Sequence, residues 1–297
     1  MDKVKVSIKK HRDAWYAGLF LGPSILILGM FVFYPMLKTA YMSLFLTNNF
    51  GETSVFVGLK NYITLLKSPS YLASLSATVV YVIGVMVLTI VLGLLLAVVA
   101  NQKLRGIGIF RTLFSSTMGV SVSVTAIFWL FVFNPSTGLL TQMATLLHLP
   151  QLNWMTDPNL AMISIIISTV WMHLGFTFLI LFGALQAVPQ ALYDAANIEG
   201  ASKTYQLFKI TIPMISPTLF FVGIVTLIDA FKSFGLIDLM TAGGPNNATN
   251  LLVYRIYRDA FLNGNYDQAS TEAIILTVII AVMTLIQFKV LEKRVNY

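Results

Sequence analysis

The 297-residue chain has no cysteine. Disulfides, thiolate metal sites and iron–sulfur clusters are therefore excluded. Charge is scarce too: Asp, Glu, Lys and Arg make up 10% of the residues, against about 25% in soluble domains. A soluble globule of this size would lack the polar surface to cover its core. With 57% hydrophobic residues and a mean hydropathy of +0.80, the chain belongs in lipid. The Gly-x-x-x-x-Gly-Lys-Ser/Thr loop that cradles nucleotide phosphates is also missing, which excludes ATP binding of the P-loop kind. Three histidines far apart in sequence and scattered carboxylates make no catalytic cluster. No metal site and no cofactor is expected in this chain.

What is present is a set of long apolar runs. A helix needs about 20 apolar residues to cross a bilayer, and runs of that order occur six times. The expected spans are roughly 15–37, 74–101, 112–133, 160–185, 210–230 and 272–290. The basic N-terminus, "MDKVKVSIKKHRDAW", could introduce a signal peptide. The charge-free run behind it extends from Ala14 to Leu37, longer than the roughly 7–15 residues of a signal core, and no clear A-x-A site follows. A retained first span is expected.

The formal charge of +7 does not point to nucleic acid, because the basic residues flank apolar runs instead of forming a stripe with aromatics. Counted by side of the membrane, 13 Lys and Arg fall with the two termini and the second and fourth loops, and 6 fall on the other side. The positive-inside rule then places both termini in the cytoplasm. The long loops 38–71 and 231–271 are expected outside, as ordered caps rich in turn signals such as "AGGPNNATN". No internal repeat and no separate soluble domain is evident, so residues 1–297 read as one transmembrane domain.

The cytoplasmic stretch 189–209 is unlike its surroundings. Pro189 suits a first helical turn. Leu192, Ala195, Ala196 and Ile198 give a small, partly apolar face flanked by Asp194 and Glu199. Gly200 permits a sharp turn, Ser202 can cap a second short helix, and Pro213 is expected to start the fifth span. Each half is shorter than the 12–15 residues below which isolated helices are marginal, so something must bury the apolar side. A partner protein is one answer, with Ala195, Ala196, Gly200 and Ala201 letting the helix sit deep in a groove. A re-entrant or lipid-surface connector is the other.

The motif "DAANIEGA", then residues up to Lys209 and "ITIP", closely resembles the EAA loop of permease subunits in binding-protein-dependent ABC importers. Asp194 stands for the usual first Glu, Glu199 for the usual Asp and Ile212 for Leu. The likeness extends along the chain through "FVGLKNY", "FNPSTGLL", "LQAVPQALYDAA" and "TAGGPNNAT", and is to the carbohydrate-uptake group of the maltose and glycerol-3-phosphate type. It implies an all-α membrane protein of six spans with both termini cytoplasmic and a short cytoplasmic coupling helix. That helix would dock on a cytoplasmic ATPase through Asp194, Ala195, Ala196, Glu199, Gly200, Ala201 and Pro213. The implied partners are a second permease, as a heterodimer, two ATPase subunits that bind ATP and magnesium, and an extracytoplasmic solute-binding protein. The implied place is the cytoplasmic membrane of a bacterium or archaeon.

Ionisable groups inside spans are costly and usually face a cavity. Asp229 and Lys232 are three apart at one end of span five and can either pair with each other or touch solute. His173 is the only histidine within a span, where a hydrogen-bonded structural role competes with ligation. The resemblance places solute contacts near these positions, which gives His173, Phe176, Asp229, Lys232 and Ser233 as candidates. Trp129 and Phe133 read better as an interfacial aromatic belt. Because Asp229 would offset Lys232, the expected solute is a neutral sugar, with polyols and sugar phosphates also compatible. The rival function is a secondary transporter. It would show inverted-repeat halves and broken helices with buried ion ligands, and would have no use for an EAA loop.

Overall fold

A computed structural model describes residues 16, 18–48, 50–102 and 105–291 of the chain. The chain is mostly helical and divides into two compact units, one comprising Met1–Leu66 with Asp259–Ile275, the other Lys67–Arg258 with Leu276–Tyr297.

The first unit contains α1 (Gly18–Met42), a hairpin of β1 (Phe45–Thr47) and β2 (Thr53–Phe56), and the short α2 (Lys60–Leu66). The strands are antiparallel, with Phe45 opposite Phe56 and Leu46 opposite Val55, and a bulge follows Leu46. Side chains tie the hairpin down. Asn61 Nδ2 donates to the carbonyls of Ser43 and Phe45, each at 3.0 Å. The Thr47 hydroxyl donates to Asp267 Oδ1 at 3.3 Å and accepts from the Asp267 amide at 3.0 Å.

The second unit is the helical body. Its elements are α3 (Pro69–Ala100), α4 (Ile107–Ser115), α5 (Val122–Val132), α6 (Leu139–Leu146), α7 (Pro158–Gln186), α8 (Gln190–Ile198), α9 (Lys203–Met214), α10 (Ser216–Phe231), α11 (Gly235–Met240) and α12 (Leu252–Tyr257). The last helix, α13 (Tyr266–Leu291), begins in the first unit and ends in the second. Serine and aspartate start the long helices as their side chains allow. Ser68 accepts from the Tyr71 amide, and Asp157 accepts from the amides of Asn159 and Leu160.

Among the described residues, four helices are long and apolar enough to cross a membrane, namely α1, α3, α7 and α13. Two bent pairs bring the number to six if each pair is one span: Ile107–Gly119 with Val122–Val132, at 110°, and Lys203–Met214 with Ser216–Phe231, at 71°. The spans expected at 112–133 and 210–230 thus fall on helix pairs bent at an elbow. At the first, Val120 and Ser121 are both extended, and Ser121 caps the new helix. At the second, Pro217 lies at the start of α10, where its ring would clash with the carbonyl four residues back if the helix ran on. Pro213, expected to start this span, instead lies inside α9 just after a π turn at Leu207–Thr211. Of the expected first span, residues 15 and 17 lie outside the described residues.

The core of the body joins α3, α7 and the second elbow. Ala97, Ala100, Phe178, Leu181, Leu185, Ile215 and Val222 form one buried cluster. Arg111 closes the end of α3 by donating twice to the Ala100 carbonyl, at 3.1 and 2.8 Å, with its guanidinium over the Phe182 ring. Gly175 lets the turn at 116–119 lie directly on α7. A Cβ there would stand 2.6 Å from Thr117 Oγ1 and 2.8 Å from the Met118 amide.

Candidate functional site

Two sites emerge in the helical body: a hook at α8–α9 and a polar seam between α3, α7 and α10.

The hook follows from its sequence. Pro189 sits at the N-cap of α8, one position before the first helical turn. The helix ends in a Schellman turn: the Gly200 amide donates to the Asn197 carbonyl at 3.1 Å and the Ala201 amide to the Ala196 carbonyl at 2.9 Å. Gly200 takes φ +74°, a conformation that other residues enter at a cost. Ser202 then caps α9, accepting from the Tyr205 amide at 3.2 Å. Asp194, Ala195, Glu199 and Gly200 are exposed, while Ala201 is half-buried. Ala196 is buried, at 7% exposed. Ile198 is 88% exposed, and Tyr205 and Phe208 are exposed as well. Behind them lies a cavity of about 550 Å³, lined by Tyr193, Asn197 and Gln206 of the hook and by Asn101 and Gln102 beyond α3.

The seam brings together part of the expected solute set. Thr169, His173 and Phe176 recur on α7 at the spacing of one helix face. Asp229 of α10 lies within electrostatic reach of His173. Tyr81, fully buried on α3, reaches across. Its hydroxyl donates to Ser233 Oγ at 2.8 Å and shares a hydrogen bond with Thr169 Oγ1 at 2.8 Å. Phe176 is half-buried. Lys232 is exposed at the C-cap of α10, and among the described residues no ion pair joins it to Asp229. Tyr81 and Thr169 escaped the sequence reading, because one hydroxyl in a long apolar run carries no pattern. A tyrosine at the middle of a charge-free span was the available signal.

Trp129 and Phe133 do not form a surface belt. Phe133 is fully buried, and its ring stacks on Trp129 at 5.1 Å and lies against Trp154 at 5.3 Å. Trp171 of α7 joins the group edge-on to Trp129. The cluster fastens α5 to α7 by aromatic packing, an internal role that favours such rings as strongly as an interface does.

Long apolar helices, two bent helix pairs and a short amphipathic hook that follows α7 and leads into the second bent pair are the features of a multi-pass membrane protein. Residues 89–297 match the family described as "Binding-protein-dependent transport system inner membrane component", and the chain belongs to that family. It is 36% identical over 282 residues to the sn-glycerol-3-phosphate transport system permease protein UgpA of Agrobacterium fabrum, covering 94% of this chain and 95% of that one. The UgpA of Yersinia enterocolitica is 34% identical over 287 residues, covering 96% of each. Among solved structures, a chain of a bacterial ABC transporter involved in import of the acidic polysaccharide alginate superposes with a TM-score of 0.83. It is 21% identical and covers 97% of this chain and 99% of that one, a likeness of fold. The protein is accordingly a permease subunit of a multi-subunit, binding-protein-dependent ABC importer.

Proposed function

We propose that this permease couples ATP hydrolysis in a separate cytoplasmic subunit to solute movement through the α3–α7–α10 seam. The supporting observation is the polarity of the hook. Ile198, Tyr205 and Phe208 face outward, on helices too short to stand alone. Burying one such side chain contributes about 1.5–3 kcal/mol, so the face is suited to a protein groove. In this reading the chain has no ATPase site of its own. It pairs with a second permease, and two ATPase subunits grip the two hooks. The binding protein delivers solute from outside, and the hooks and both termini face the cytoplasm of a bacterium or archaeon. ATP and the loaded binding protein each favour one state of a two-state pore.

The solute we propose is a small polyol or sugar carrying a phosphate. The expectation of a neutral sugar rested on Asp229 neutralising Lys232. Asp229 instead stands near His173, and Lys232 remains an exposed cation at the end of α10. The names of the UgpA relatives point the same way.

Cross-linking tests the docking. The chain has no cysteine, so Ile198→Cys gives one unique thiol, better placed than the buried Ala196. In the assembled complex it should cross-link to the ATPase subunit. Labelling of Ile198→Cys from outside intact cells, or capture of no ATPase, defeats the reading.

A further inference from the structure

We infer that Gln206 is a positioning residue that braces the two hook helices into one rigid lever, so that displacement of α8 reaches α10. The inference rests on the proposed docking of α8 and adds the part that would transmit the movement.

Gln206 is only 3% exposed in an otherwise exposed loop. Its side-chain amide donates to Asn197 Oδ1 at 2.8 Å and to the Ala201 carbonyl at 3.0 Å. Its Oε1 accepts from Lys203 Nζ at 3.3 Å, and the same ammonium reaches Asn197 Oδ1 at 3.4 Å. One side chain thus holds the end of α8, the turn after Gly200 and the first turn of α9. A second brace runs parallel to it. The Thr211 hydroxyl donates to the Gln206 carbonyl at 3.3 Å and shares a 3.0 Å hydrogen bond with Tyr193 of α8.

Besides the two backbone hydrogen bonds of the Schellman turn, no side chain packs against Gly200 itself. Nothing lies within 4 Å of the position a Gly200 Cβ would occupy. A force on α8 could therefore be lost in flexing of the turn. Buried amide hydrogen bonds are costly to leave unmade, and a network that spans two elements carries coupling between them. With the brace closed, α9 follows α8 and transfers the movement to α10, which carries Asp229.

The test uses the full complex with its partner permease and ATPases, and needs no knowledge of the solute. Two single-cysteine versions carry a spin label, one at Ile198→Cys on the hook and one at Phe221→Cys, exposed on α10. Each is read before and after addition of ATP with vanadate. Both labels should respond in the otherwise unaltered chain. With Gln206→Met, which keeps the length but loses the hydrogen bonds, the hook label should still respond. The α10 response relative to it should fall roughly tenfold, the scale of one to two lost hydrogen bonds. Asn197→Ala, at an exposed position, removes the same brace from the other side and should act alike even if Gln206→Met fails to assemble. The double variant should be no worse than the stronger single one, since both break one interaction. An unchanged α10 response in the variants, or additive losses, overturns the brace. A hook label silent in the unaltered complex overturns the docking beneath it.

Discussion

The hook and the seam are built on opposite plans. In the hook, the inner side of two short helices carries an amide and hydroxyls, Gln206, Tyr193 and Thr211, beside the small Ala196, and the apolar side chains Ile198 and Phe208 face outward. In the seam, the hydroxyls of Tyr81, Thr169 and Ser233 are joined between long apolar helices, with half-buried His173 and Asp229 nearby. The hook's inverted polarity leaves an apolar face for another protein to cover. The seam's enclosed polarity offers hydrogen-bonding groups where the bilayer offers none. In the proposed reading, one region would be gripped and the other passed through.

The largest expected effect would break the comparison at the hook. Gly200→Pro cannot take the φ of +74° found there, because proline fixes φ near −65°. Uptake into proteoliposomes should drop to background while the binding protein still binds solute. Normal uptake would show that the turn does not matter. A smaller effect is expected at the seam from Tyr81→Phe, which removes the hydroxyl joined to Thr169 and Ser233. Each hydrogen bond is worth about 1 kcal/mol. The melting temperature in detergent should fall by several degrees, and a variant as stable as the parent would mean that the hydroxyl does not tie α3 to α7. The smallest effect is expected from Lys232→Gln. Exposed charge pairs are worth about 0–1 kcal/mol, so KM for a phosphorylated polyol should rise roughly threefold while that for its neutral counterpart stays constant. Equal changes for both would remove Lys232 from phosphate selection.

Much of the hook was legible because each signal is local. Gly200 can turn where other residues strain, Ser202 can cap, and both do so as read. The long apolar helices were legible from run length alone, although α3 begins at Pro69 and α13 at Tyr266, several residues earlier than expected. The elbows were not. The first breaks at Val120 and Ser121, with no proline to announce it. The second breaks at Ile215 because of Pro217, while the more conspicuous Pro213 is accommodated behind a π turn. Burial within the hook was also hidden. Alanines at 195 and 196 look alike in sequence, and only the turn at Gly200 decides which one faces inward. The role of Tyr81 was not legible because its partners are far along the chain.

The second elbow has a mechanical consequence. Ile215 marks the corner and is packed among Ala97, Leu181, Leu185 and Val222, so in the proposed coupling it would serve as a fulcrum. With α9 and α10 meeting at 71°, thrust along one arm emerges from the other mostly as a sweep across its axis. In that reading a motor pulling on the hook would swing the far end of α10 sideways, as a bell-crank does, without driving a piston through the bilayer.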